Sequence, residues 1–160
     1  MKRASVPELL GQHEFTTVPS YRLITVRDQD NDAGEGVTEA ITRAQTAVVA
    51  STGYELVINC AQDLLPVSAQ LETWSARPAD AGEPAWSAPQ TFELECPSAQ
   101  LVLGSPTGDA FDATLPAGPG VYAVDVTYQG REQALAARGG FEKYRIRMWL
   151  VASLPDNEDE

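Results

Sequence analysis

The side chains of this sequence best suited to chemistry are carboxylates. Asp28, Asp30 and Asp32 alternate along the chain, Glu35 follows, and Glu39 closes a twelve-residue window that begins at Asp28. Alternate carboxylates ending in a glutamate form the ligand rhythm of a calcium loop, in which hard oxygens converge on a hard cation. Two features depart from that pattern. Ala33 stands where the sharp turn requires Gly, and the preceding segment YRLITV reads as a strand, not a helix. Residues 28–36 therefore read as a solvated acidic loop, with Ca²⁺ binding as the alternative.

Other chemistry finds few residues to carry it. The single histidine, His13, lies near the amino terminus, outside any sustained pattern, which leaves a Ser-His-Asp triad, a Cys-His dyad or a histidine zinc site without its base or ligand. Cys60 and Cys96 each end an apolar strand pattern and read as small buried hydrophobes. No glycine-rich phosphate loop follows a strand. A carboxylate pair remains conceivable as a hydrolase, but acidic residues are too abundant for spacing to single one out. The reading is non-enzymatic, with no cofactor and no resident metal.

Charge narrows the choice of partner. Eleven basic residues face 23 acidic ones, for a net charge of −12. Binding nucleic acid means neutralising phosphates with clustered Lys and Arg, so DNA and RNA are disfavoured as direct partners, as is an anionic membrane surface. A basic protein partner is favoured, drawn in by long-range attraction. Residues Asp28, Asp30, Asp32 and Glu35 form the densest such surface apart from the acidic tail. The opening MKRASVPELLGQHEF lacks the apolar stretch of a signal peptide, and no apolar run is long enough for a membrane span, so a cytoplasmic location is expected.

The elements that must position these residues are strands. Tyr54, Leu56, Ile58 and Cys60 recur at period two, as do Val67, Ala69 and Leu71, then Phe92, Leu94 and Cys96. Phe111, Ala113 and Leu115 repeat the pattern, as do Tyr122, Val124, Val126 and Tyr128, and finally Tyr144, Ile146, Met148 and Leu150. Such alternation marks strands with one face on a core and one toward water. With Gly and Pro punctuation and no βαβ rhythm, the chain is expected to be an all-β antiparallel sandwich of about eight to nine short strands. One short helix is expected near 37–44, and a helical turn or hairpin tip over 130–140. Residues 1–18 read as a loose arm, 19–152 as a single sandwich domain, 75–90 as a long loop and 153–160 as a disordered acidic tail. Arg145, Arg147 and Trp149 share the outer face of the last strand; pairing of each Arg with a carboxylate is preferred over an exposed hot spot. Trp74 and Trp86 could form a carbohydrate platform.

The order of motifs resembles the competence protein J family, small bacterial β-sandwich proteins related to the inhibitor of the nuclease of DNA uptake. The resemblance rests on SYRLITVRD, running into the acidic loop and short helix, then LPAGPGVYAVDVTYQGRE and the closing EKYRIRMWLV. It spans roughly residues 18–152 and centres on the turn Leu115-Pro116-Ala117-Gly118-Pro119-Gly120-Val121-Tyr122. What the family implies is a stoichiometric inhibitor of a nuclease, or an immunity-type neutraliser of a toxin.

Overall fold

The computed structural model describes residues 6–31, 36–79, 86–105, 110–137 and 141–154. In chain order its elements are β1 (Leu9–Thr17), β2 (Leu23–Asp28), α1 (Val37–Ala47), β3 (Val49–Ser51), β4 (Glu55–Asn59), β5 (Val67–Trp74), β6 (Gln90–Cys96), β7 (Gln100–Gly104), β8 (Ala110–Thr114), β9 (Gly120–Gln129), α2 (Arg131–Ala137) and β10 (Lys143–Ala152). They form two five-stranded sheets, in the orders β1-β5-β10-β9-β6 and β3-β4-β2-β7-β8. The all-β sandwich expected from the alternation is therefore the fold.

Most of the period-two residues meet between the sheets, whereas Tyr54 and Leu150 are exposed at strand ends. Leu71, Leu94, Tyr122, Val124 and Ile146 from one sheet pack with Ile24, Leu56, Ile58, Leu101 and Leu103 from the other in one continuous core. Cys60 and Cys96 are both fully buried free thiols within it, as their place in the pattern predicts. Helix α1 covers the outer side of the second sheet, where Ala40 and Ala44 pack on Leu23, Ala50 and Val57. That second layer explains why β4 reads as a nearly continuous apolar run.

Four sequence expectations are corrected or extended. Residues 9–17 are not a loose arm but the edge strand β1, paired antiparallel with β5 from Thr17↔Val67 to Leu9↔Trp74. Most of β1 is exposed on both faces, so it carries no alternation; backbone pairing and the Phe15–Phe111 ring contact at 4.9 Å hold it. The pairing of β10 with β5 is parallel, whereas every pairing was expected to be antiparallel. Alternation reports which face a residue occupies and is blind to strand direction. Helix α1 runs on past the expected 44 to Ala47, and the short strand β3, Val49–Ser51, follows it directly. Of the two readings for 130–140, the helix is present as α2. Residues 1–5 and most of the expected tail, 155–160, lie outside the described residues.

The outer face of the first sheet departs most from the solvated surface that alternation implies. Ala123, Asp125 and Thr127 of β9 and Arg147 and Trp149 of β10 are all buried. Of the segment between β5 and β6, the described residues Ala79, Trp86 and Ser87 lie across this face. The Arg147 guanidinium donates to the Ala79 carbonyl at 3.4 Å, Ser87 N–H donates to the Tyr128 carbonyl at 2.9 Å, and Arg145 lies over the Trp86 ring at 4.6 Å. Trp149, in register with Trp74 and Ala123, is thus a covered residue rather than an exposed anchor.

Gly130 is required where β9 turns into α2. Its φ is +83°, and a Cβ there would run into the Phe141 carbonyl. Its own carbonyl accepts the Ala134 N–H at 2.9 Å and so begins the helix.

Candidate functional site

Strand β2 delivers the acidic segment to one end of the sandwich. Asp28, its last residue, is fully buried. Oδ1 accepts the Asp30 N–H at 2.9 Å and the Ser98 hydroxyl at 2.7 Å, while Oδ2 accepts the Ser98 and Ala99 N–H groups at 3.0 and 2.8 Å. These bonds fill the lone pairs of the carboxylate and tie the root of the loop to the β6–β7 turn. Asp28 is accordingly the buried anchor of the loop's root. It has no oxygen left for a metal, so the calcium reading loses its first ligand.

The rest of the loop's base is held just as closely. Gln29 N–H donates to the Gln100 carbonyl at 2.9 Å, and Asn31 N–H to the Asp28 carbonyl at 3.0 Å. The Asn31 side-chain amide donates to the Glu95 carbonyl at 2.5 Å, joining the two sheets. Asp30 is exposed at the rim; Asp32 and Glu35 lie outside the described residues. Glu93 and Glu95 of β6 and a partly exposed Tyr54 stand at the neighbouring sheet edge, where Glu95 N–H donates to the Gly53 carbonyl at 2.9 Å. Sequence reasoning did not include these three in the site. The signal for the two glutamates was there, since they alternate with the inward Phe92, Leu94 and Cys96.

A second polar node lies at the opposite end. Glu142, buried at the start of β10, accepts the Ala61 and Gln62 N–H groups at 2.8 and 3.0 Å and the Tyr144 hydroxyl, with Arg131 at 3.9 Å. Its oxygens are spent on holding the β4–β5 connection. Burial, followed by the Glu142 charge, pushes the neighbouring Cys60 thiol up to about 12. Burial, with Asp28 next, does the same for Cys96, also to about 12. Both thiols are therefore protonated at neutral pH and poor nucleophiles.

These shifts have a consequence for stability. A thiol ordinarily ionises near 9, so from pH 9 toward 12 the unfolded chain sheds protons that the folded chain keeps. The contribution is complete below pH 9 and is lost as pH climbs to 12. Urea unfolding measured over that range is expected to show falling stability, and Cys60→Ala/Cys96→Ala should flatten the slope even though it lowers stability at neutral pH.

The two tryptophans considered as a carbohydrate platform do not share one. The Trp74 indole donates to Glu72 Oε1 at 2.9 Å, whereas Trp86 stacks with Arg145. Trp74 is level with Trp149 on β10, four residues from Arg145, a separation of about 13 Å along the strand. His13 is exposed on β1. Among the described residues, no group of three or more His, Cys, Asp or Glu is placed to hold a metal ion. Nor is any described helix long and apolar enough to cross a membrane.

The turn on which the family resemblance rests is a packed corner. Leu115 is buried and donates its N–H to the Ala99 carbonyl at 2.8 Å, and the Tyr122 hydroxyl reaches back to the Gly118 carbonyl at 2.6 Å. The sandwich fold as a whole has counterparts among solved structures. The chain is similar in fold to ComJ from Bacillus subtilis, an inhibitor of the DNA-degrading activity of NucA. The TM-score is 0.62 at 13% identity, over 92% of this chain and 100% of that one. It is also similar to the product of crocagin biosynthetic gene J, with a TM-score of 0.56 at 15% identity, over 91% and 99% of the two chains. No family model matches the sequence, and no curated protein does.

Proposed function

We propose that this protein is a non-enzymatic, stoichiometric inhibitor that masks a basic partner, a nuclease foremost and a toxin as the wider class. The observation that carries the reading is the shared fold with ComJ across nearly the whole of both chains. Charge supports it independently. A nuclease cleft built for a polyanion is basic, and a chain of net charge −12 is attracted to it over long range. The contact surface in this reading is the acidic end: Asp30, with Glu93 and Glu95 at the neighbouring sheet edge, on a base fixed by Asp28, together with Asp32 and Glu35, which lie outside the described residues. The protein acts in the cytoplasm, where Cys60 and Cys96 remain thiols.

The supporting experiment is kinetic. Association with the captured nuclease is expected to slow steeply as salt rises through the physiological range. Asp30→Asn should slow it roughly two- to fivefold at low salt while leaving dissociation and thermal stability nearly unchanged. Association rates indifferent to both salt and Asp30 would remove the acidic end from the contact.

A further inference from the structure

The end of the sandwich opposite the acidic loop is apolar and electrically balanced. Tyr21 is 75% exposed there, Leu64 66%, Leu135 59% and Phe141 52%, a concentration of large exposed side chains that marks a contact surface. They share one surface. The Leu64 N–H donates to the Pro19 carbonyl at 3.0 Å and the Arg22 N–H to Asp63 Oδ1 at 3.0 Å, while the Gln62 side-chain amide donates to the Ala134 carbonyl of α2. The Phe141 carbonyl lies against Gly130, where α2 begins.

Two of these side chains are kept at a conformational cost. Tyr21 and Arg22 connect the bridged residues Ser20 and Leu23, with φ of +57° and +64°. A two-residue turn with both φ positive favours Asn-Gly, and a bulky residue in that region is an outlier. Leu64 has φ of +60° as well. The backbone conformation alone would be met better by Asn or Gly, so the large exposed side chains serve something beyond the turn.

Shape and charge select the occupant. Beside α2 lies an open trough of about 660 Å³, lined by Trp86, Tyr128, Phe141 and Lys143 among others. Next to Leu135 lies a second hollow of about 390 Å³, which Arg22 and Leu65 also line. The two hollows, with Glu142 between them, carry Arg22, Arg131 and Lys143 against Asp63, Glu132 and Glu142. None of the chain's net charge of −12 comes from these residues. A strongly basic partner is drawn to the acidic end instead, and a strongly acidic one gains nothing here. Projections beside hollows, with both signs of charge in balance, meet the requirement of an isologous contact, in which one patch faces itself.

We propose that this end is a homodimer interface, on which a second copy of the chain docks across a two-fold axis and the two sets of Tyr21, Leu64, Leu135 and Phe141 cover one another. The ten-residue strand β9 spans about 33 Å, so this arrangement holds the two acidic ends roughly 60 Å apart, several Debye lengths at physiological salt. Both acidic ends stay open, and the proposal is independent of the inhibitor reading.

Sedimentation equilibrium of the intact chain tests it. A reversible dimer is expected, with a dissociation constant in the micromolar range. It should hold or tighten as salt rises, because only the long-range repulsion between two acidic molecules is screened; this is opposite to the salt response expected for nuclease binding. Leu135→Lys should weaken the dimer about tenfold or more. Tyr21→Asn and Leu64→Asn, which suit a positive φ, should each weaken it about tenfold while leaving the thermal stability of the monomer unchanged or raised. Asp30→Asn should leave it unchanged. A chain that stays monomeric at high micromolar concentration overturns the proposal, whatever else binds this end. So does a dimer indifferent to both Leu64→Asn and Leu135→Lys, or one that Asp30→Asn dissociates.

Discussion

Replacing Arg147 with Ala is expected to lower the unfolding free energy by about 3–5 kcal/mol, the usual cost of leaving a buried charge without its partner. The pair is bidentate: Nε and Nη2 of Arg147 donate to the two Asp125 oxygens at 3.0 and 2.9 Å, and both side chains are almost wholly buried. Truncation strands the Asp125 carboxylate under the segment that crosses the sheet. It also removes the donor to the Ala79 carbonyl, so that segment should loosen too. The informative control is Asp125→Leu/Arg147→Met, in which no charge is left to desolvate. It should recover most of the loss, because an apolar pair of similar volume is often as stable as the ion pair it replaces. Urea denaturation of both variants checks this. A loss below about 1 kcal/mol for Arg147→Ala would mean that water reaches the pair, and that the crossing segment does not cover the sheet as described.

Asp28→Ala is expected to have the second largest effect, on stability and on binding together. The substitution leaves the Asp30, Ser98 and Ala99 N–H groups without their acceptor, and an orphaned buried donor costs about 1–3 kcal/mol. Part of the site admits water, so a total of about 3 kcal/mol is expected, with Asp28→Asn losing roughly half because it keeps one carbonyl oxygen. The root of the acidic loop is then no longer tied to the β6–β7 turn, and affinity for the nuclease should fall as well. Asp30→Asn supplies the contrast, with slower association at unchanged stability. If Asp28→Asn slowed association while stability stayed the same, Asp28 would be a contact residue and not a positioning one.

The sandwich was legible because residue types alternate along its core strands. Tyr122, Val124 and Val126 alternate with residues of other chemistry, and their partners across the core do the same. Strand β1 was illegible for the converse reason: its residues are exposed on both sides, so no period marks them. The parallel β5–β10 pairing was hidden because alternation carries no sense of direction. The covered outer face of the first sheet misled in another way. Asp125, Thr127 and Arg147 read as solvent-facing by type, yet the crossing segment buries them, and only their pairing makes burial tolerable. The preferred reading of Arg147 as one half of an ion pair nonetheless holds.

For the acidic end, the spacing of Asp28, Asp30 and Asp32 located the segment but not the division of labour within it. A carboxylate at the last position of a strand, followed by a turn, is as well suited to accepting backbone N–H groups as to meeting a partner. Only the approach of Ser98 and Ala99, seventy residues away in the chain, decides between the two for Asp28. The trough beside α2 was beyond sequence reading altogether. Trp86, Tyr128, Phe141 and Lys143 come from three separate stretches and meet only because β9 and β10 pair and the crossing segment returns alongside them.

Inhibition itself is the most direct test. In an extract of the producing cells from which this protein has been deleted, DNA cleavage is measured while the purified chain is added back. Cleavage is expected to fall linearly to a plateau at a fixed molar ratio to one nuclease, which co-purifies with the chain at low salt and is released at high salt. Cleavage unchanged by a large excess of folded protein would contradict the inhibitor reading.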